Sequence, residues 1–237
     1  MTVTQNKDPS VIIQEVMAQA TRYNDWIYSQ FEPTIGRRIL DIGCSIGNIT
    51  EKYVDRDRTV GLEVVEESVQ IVRSRFNHCP QFQVHHIGID DPQVLTMIQE
   101  QFDSAVCFNV LEHIENDFQA LVHVNSLLIP AAVLNLFVPA CPVIFGSMDQ
   151  TDHHFRRYTK ASLRSVVTKA GFEIQRLFYF NILGFFGWFW NARVRRKQFV
   201  DQRSVALMER VVPLLAAIER VIPPPFGQSL VCIARKK

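Results

Sequence analysis

Two clusters of residues carry the chemistry this sequence offers. The first is Asp41-Ile42-Gly43-Cys44-Ser45-Ile46-Gly47-Asn48, which follows an apolar run and reads as a strand turning into a helix. Gly43 lets the backbone turn sharply and lets a ligand approach with no Cβ in the way. The unpaired amides that open the following helix then face that ligand. Twenty residues beyond Gly43 stands Glu63, closing a second apolar run, where a carboxylate can accept hydrogen bonds from both hydroxyls of a ribose. A pyrophosphate-binding turn asks for G-x-G-x-x-G, and a phosphate loop for a lysine after its last glycine. Ser45 and Asn48 occupy those places, so both phosphate readings lose ground.

The second cluster gathers Asp149, His153, His154, Arg156, Arg157 and Tyr158 into ten residues. A neutral histidine acts as a base near pH 7, and arginine clamps a carboxylate or phosphate through two hydrogen bonds. His154 is therefore a candidate base, with Asp149, His153, Arg157 and Tyr158 as candidate substrate contacts. The alternative is a solvated loop whose Arg and Tyr cap the helix at Thr159. His153 and His154 beside Asp149 also suggest a metal, but no spaced third ligand is evident and no metal site is expected. His113, with Glu112 before it, is a further candidate base, against a role capping a helix or packing under a pocket.

These residues need a scaffold, and the apolar spacing supplies one. Strands are expected over residues 38–42, 59–63, 81–86, 103–108 and 132–138, with helices over 48–53, 66–76, 92–101 and 116–128 between them. Strand alternating with helix implies a parallel sheet with right-handed crossovers. A helix over 159–170, a strand over 172–180 and a last strand over 228–234 complete the core. A leading helix is expected from Ser10 to Phe31, stopped by Pro33. Residues 181–225 are too long for a hairpin loop and must fold as an elaboration. It opens on a run dense in aromatics up to Trp190, continues through Arg193, Arg195, Arg196 and Lys197, and ends in an apolar helix interrupted at Pro213.

Composition narrows the class. The 237 residues are 47% hydrophobic and 21% charged, as in a globular chain, and the net charge of +1 argues against binding nucleic acid through a global basic field. Five scattered cysteines with no C-x-x-C pair indicate neither a disulfide framework nor a zinc site. With no secretory signal in the polar N-terminus, a reducing cytoplasm is the expected compartment.

Leu40-Asp41-Ile42-Gly43-Cys44-Ser45-Ile46-Gly47 resembles the first motif of class I S-adenosylmethionine-dependent methyltransferases, departing at Ser45, where glycine is usual. Glu63 matches that family's ribose-binding acid. Phe102-Asp103-Ser104-Ala105-Val106-Cys107-Phe108-Asn109-Val110-Leu111-Glu112-His113-Ile114 resembles its fourth-strand motif. The resemblance implies a doubly wound, seven-stranded, mostly parallel α/β sheet whose last strand is antiparallel. It also implies S-adenosylmethionine as cofactor, held by Asp41, Gly43, Cys44, Gly47, Glu63, Asn109 and Leu111. The adenine contact departs from the pattern: Gly88 fills the aspartate's usual place, leaving Asp90 or Asp91 to substitute. Residues 153–159 resemble a subgroup with a His-x-Arg-Arg-Tyr-Thr segment, which does not fix an acceptor.

One domain over 1–237 is expected: a helical lead-in over 1–35, a cofactor-binding core over 36–180, an acceptor-side lid over 181–225 and a final strand over 226–237. The expected reaction is methyl transfer to oxygen or nitrogen of a small molecule. The rivals are a lipid or isoprenoid acceptor met at a membrane surface, and a cofactor-binding protein without transferase activity. The aromatic run is too short to span a bilayer. As a lid it would cover the acceptor, and beside the four basic residues it would suit peripheral contact with an anionic membrane. The oligomeric state is not legible.

Overall fold

A computed structural model describes residues 7–199 and 202–237. Residues 1–6 of the expected lead-in, and residues 200 and 201 within the expected elaboration, lie outside the described residues.

The chain opens with two helices, α1 (Pro9–Met17) and α2 (Thr21–Ser29), where the apolar spacing predicts one. At the break, Ala18 to Ala20, the Met17 carbonyl accepts from the Ala20 amide at 3.0 Å and from the buried Asn24 side chain at 3.1 Å. The sheet follows: β1 (Arg38–Ile42), β2 (Arg58–Glu63), α3 (Glu66–Arg75), β3 (Phe82–His86), β4 (Phe102–Phe108), α4 (Asp117–Leu127) and β5 (Leu128–Pro139). After β5 come the short α5 (Ser147–Thr151), α6 (Lys160–Lys169) and β6 (Phe172–Phe180). The chain closes with α7 (Ile182–Trp188), a π-helical turn at Phe189–Val194, α8 (Gln202–Val221) and β7 (Ser229–Lys236).

The seven strands lie in the order β3-β2-β1-β4-β5-β7-β6, parallel except that β7 runs antiparallel to both neighbours. Strand order therefore reverses between β1 and β4. The crevice outside the carboxyl ends of those two strands is where such sheets bind ligands, and both the Gly43 turn and Asn109 stand there. One apolar cluster joins a face of the sheet to α4 and α6, with Leu40, Leu134, Leu136 and Leu163 fully buried. A second joins the opposite face to α1, α2 and α8 through Phe31, Phe137, Phe180 and Val231.

Two expected helices differ. Residues 48–53 form a turn and a single 3₁₀ turn, Thr50–Lys52, because the Thr50 hydroxyl donates to the buried Asp41 carboxylate at 2.7 Å and pins the segment to β1. Pro92–Glu100 winds as a 3₁₀ helix capped by Asp91, whose carboxylate accepts from the Gln93 amide, and it ends at left-handed Gln101. α8, by contrast, runs unbroken through Pro213. A proline leaves the carbonyl four residues earlier without its amide partner, and that carbonyl, of Glu209, accepts from the Arg22 guanidinium at 3.2 Å. The Glu209 carboxylate also accepts the first-turn amides of Arg22 and Tyr23 in α2, and Glu219 likewise accepts those of Asn181 and Ile182 at the start of α7. α8 thus ties α2 to the start of α7.

Candidate active site

At the end of β1 the chain turns at Gly43, with φ of +70°, and a Cβ there would lie 2.3 Å from the Val110 Cγ2 atom. Only glycine fits. The Gly43 and Cys44 amides both donate to the Leu62 carbonyl, at 2.8 and 3.2 Å, locking the turn to the end of β2. Glu63, closing β2, is 7% exposed. Its Oε1 accepts from the Val64 and Val65 amides and its Oε2 from Ser45, all within 2.9 Å. A carboxylate offers about four lone-pair sites, so Glu63 retains acceptor capacity on Oε2. Ser45, where the family motif usually has glycine, adopts φ of +49° and still delivers its amide to Glu63.

One cavity of about 510 Å³ extends from this turn, a size suited to a small-molecule site. Its cofactor end is lined by Asp41, Gly43, Cys44, Glu63, Asp90 and Asn109. Burial pushes the Asp41 carboxyl up to about 6, against the hydrogen bonds from Thr50 and Tyr53 that favour its charge. Asn109 is left-handed, with φ of +53°, and its amide donates to the Phe137 carbonyl at 2.7 Å, which turns the end of β4 toward the cavity. Three expected cofactor contacts lie off the lining. Gly47 packs against Phe76, Leu111 sinks into the core at 1% exposure, and Asp91 caps its 3₁₀ helix. Of the two adenine alternatives, Asp90 is the one on the wall.

The other end of the cavity is lined by His113, Asp152, His154, Arg157 and Trp188. Here the structure corrects several roles. Asp149 is fully buried and faces inward as a hub: its Oδ1 accepts from His154 Nδ1 and Arg157 Nε, its Oδ2 from the Gly146 amide and Trp188 Nε1, all between 2.7 and 3.0 Å. Burial works against its charge, but the hydrogen bond from His154 and the Arg157 charge hold the carboxyl below its usual range. Arg157 also donates to the Ala140 and Gln228 carbonyls and lies 4.7 Å over the Trp188 ring. Its Nε and Nη1 donors are thus used internally.

His154 donates through Nδ1 to Asp149 and through Nε2 to Asp152, at 3.0 and 3.1 Å. Burial opposes its charge, yet those two hydrogen bonds push it up to about 9, so at neutral pH it is an imidazolium and not a free base. His153 points to solvent and Tyr158 is buried with its hydroxyl on Asp117 at 2.8 Å, so neither reaches the cavity. His113 does reach it, with its ring 4.6 Å from that of His154 and Nε2 4.0 Å from Asp152. Burial first, then the charge of His154, push it down to about 4.

Glu112 went unassigned to any site from sequence, yet it lines the cavity fully buried, and neither carboxylate oxygen has a hydrogen-bond partner. Among the described residues, Glu112, His113 and His154 bring three potential ligating atoms within 4.8 Å of one another. Glu112 and His113 are distant from His154 in sequence and reach it from the loop after β4.

A methyltransferase-domain family model matches residues 40–134. The ubiquinone biosynthesis O-methyltransferase of Coxiella burnetii is 26% identical over 101 residues, a match spanning 42% of this chain and only 42% of that protein's length. Among solved structures, an S-adenosylmethionine-dependent methyltransferase from Archaeoglobus fulgidus superposes with a TM-score of 0.62 at 15% identity, covering 97% of this chain and 100% of that one. The [4+2]-cyclase SpnF superposes at 0.58 and 16% identity, covering 91% and 81%. The family match over residues 40–134 and the seven-stranded fold make the chain similar to S-adenosylmethionine-dependent methyltransferases in its sheet and in its first half.

The residues at the cofactor end fit that cofactor. The turn has no room for a Cβ, and Glu63 keeps an acceptor site for a ribose hydroxyl.

Proposed function

We propose that the chain transfers a methyl group from S-adenosylmethionine to an oxygen or nitrogen of a small-molecule acceptor. The observation that carries this is the continuity of the cavity, from Gly43, Glu63 and Asn109 at one end to His113, Asp152 and His154 at the other. The cofactor supplies the electrophilic methyl on its sulfonium, so the chain's work is to hold both partners in line and keep water out. Glu63 and Asp90 hold the adenosine portion, and Asp41, beside the Gly43 turn, holds the amino-acid portion. Phe108, Phe137, Pro139 and Trp188 wall the space between the two ends. Trp188, fixed by Asp149 and stacked under Arg157, makes α7 part of that wall.

The names of the curated relatives favour oxygen as the attacking atom. A second reading, a lipid or isoprenoid acceptor met at a membrane surface, is favoured by the exposed Phe186, Phe189 and Trp190 of the elaboration, beside Arg193 and Arg195. No helix among the described residues is long and apolar enough to cross a membrane.

Release of S-adenosylhomocysteine across an acceptor panel of phenols, amines and prenylated phenols tests the reaction. Turnover with at least one acceptor, lost in Glu63→Ala, is expected. Tight cofactor binding with no product from any acceptor would instead favour a cofactor-binding protein without transferase activity.

A further inference from the structure

We propose that Glu112, His113 and His154 form a binding site for a divalent first-row transition-metal ion at the acceptor end of the cavity. Three observations converge on it. The ligating atoms of the three side chains lie within 4.8 Å of one another. Donors around a bound ion, at metal–ligand distances of about 2.1 Å, stand roughly 3–4 Å apart, so side-chain rotation closes the group. Glu112 is fully buried and both its carboxylate oxygens lack a partner. A buried carboxylate left unpaired is costly, and a cation against it removes that cost.

The third observation is the support behind His154. Its Nδ1 donates to the buried Asp149 at 3.0 Å, which fixes the ring and directs Nε2 toward Asp152 and the cavity. A metal-binding histidine is typically held in this way by a carboxylate on its other nitrogen. Asp149 is itself anchored by Arg157, Trp188 and the Gly146 amide, so the support is rigid. Asp152, with Oδ2 3.1 Å from His154 Nε2 and 4.0 Å from His113 Nε2, faces both imidazoles and is placed to be a fourth ligand.

Two imidazoles with carboxylate oxygen select zinc, cobalt, iron(II) or manganese over calcium or magnesium, which prefer all-oxygen shells. An ion entering takes the place of the proton that His154 Nε2 shares with Asp152, and that proton leaves to solvent. Ligands from the loop after β4 and from the loop after α5 would then be joined through one atom. If the methyl-transfer reading holds, the ion also lies where it can polarise an acceptor hydroxyl; the site itself does not depend on that reading.

Cobalt(II) titration of the full, chelator-treated chain is the test, read by visible d–d absorption. The expected result is saturation at one equivalent, displaced by zinc, with affinity falling at least tenfold in His113→Ala and in Glu112→Gln. Asp149→Asn should weaken binding by about 10–100-fold, the usual cost of removing such a support. His153→Ala, which alters only an exposed neighbouring histidine, should leave it unchanged. Should Glu112→Gln fail to fold, the half-exposed His113 still decides the matter. Absence of d–d bands with the wild type, or equal affinity in folded His113→Ala, would overturn the proposal. Calorimetry of S-adenosylhomocysteine binding, with and without chelator, is read separately, so failure of the metal site and failure of the cofactor site are distinguished.

Discussion

The cofactor and acceptor ends of the cavity are built by different means. At the cofactor end the contacts are backbone turns at the carboxyl ends of β1, β2 and β4, held by amide-to-carbonyl bonds such as Gly43 to Leu62 and Asn109 to Phe137. At the acceptor end they are side chains from the loops after β4 and α5 and from α7, of which His154, Arg157 and Trp188 are held by one buried carboxylate, Asp149. A site made from strand ends inherits its geometry from the sheet. A site made from a side-chain network depends on every partner being present.

Substitutions can break that contrast. The largest effect is expected from Gly43→Val, which combines a left-handed backbone with a clash against Val110; calorimetry should show no S-adenosylmethionine binding while circular dichroism shows the helices and sheet retained. Next comes Asp149→Ala. It leaves the buried Arg157 unpaired and frees Trp188 and His154, and removing one partner of a buried ion pair costs about 3–5 kcal/mol. For a chain of this size that corresponds to a Tm lower by about 10 °C, read by calorimetry. An unchanged Tm would mean that the acceptor end is not held by Asp149.

Asp41→Asn should act in the opposite direction on stability. The folded carboxyl is raised to about 6 from 3.8, because burial disfavours its charge. The folded state therefore binds the proton more tightly than the unfolded state, and stability falls as pH rises from about 4 through 6. The penalty is fully present at pH 7.5 and absent below about pH 3.8. Removing it should raise the Tm at pH 7.5 by more than at pH 4.5, while weakening cofactor binding. Equal shifts at both pH values would place the Asp41 charge elsewhere. The smallest stability effect should come from Tyr158→Phe, which loses one hydroxyl bond to Asp117, worth about 1 kcal/mol. If Tyr158→Phe instead cuts turnover while stability holds, the acceptor end reaches deeper than the cavity wall.

The same contrast explains what could be read in the sequence. The alternation of strand and helix was legible because their apolar periods differ, and the seven strands with the last antiparallel followed from the family resemblance; the strand order itself comes from the structure. Gly43, Glu63 and Asn109 each sit at a strand end whose position the periodicity gives, and all three line the cavity. Gly47 and Leu111 were drawn in by their motif neighbours, and adjacency in sequence does not decide which side of a turn faces a cavity. At the acceptor end residue type misled. Arg157 and Tyr158 look like ligand contacts, but burial commits the first to Asp149 and the second to Asp117. Glu112 belongs with His154 only because the loops after β4 and α5 meet in space. The unbroken α8 was hidden for a similar reason, since the partner that rescues the carbonyl freed by Pro213 is Arg22, at the other end of the chain.

The central claim is that the Gly43 turn and Glu63 hold S-adenosylmethionine. Isothermal titration of S-adenosylhomocysteine into the wild type and into Glu63→Ala tests it most directly. One-to-one binding in the wild type, weakened at least tenfold in the variant with an unchanged circular dichroism spectrum, is the predicted result. No binding by the wild type, or equal binding by both, would contradict it.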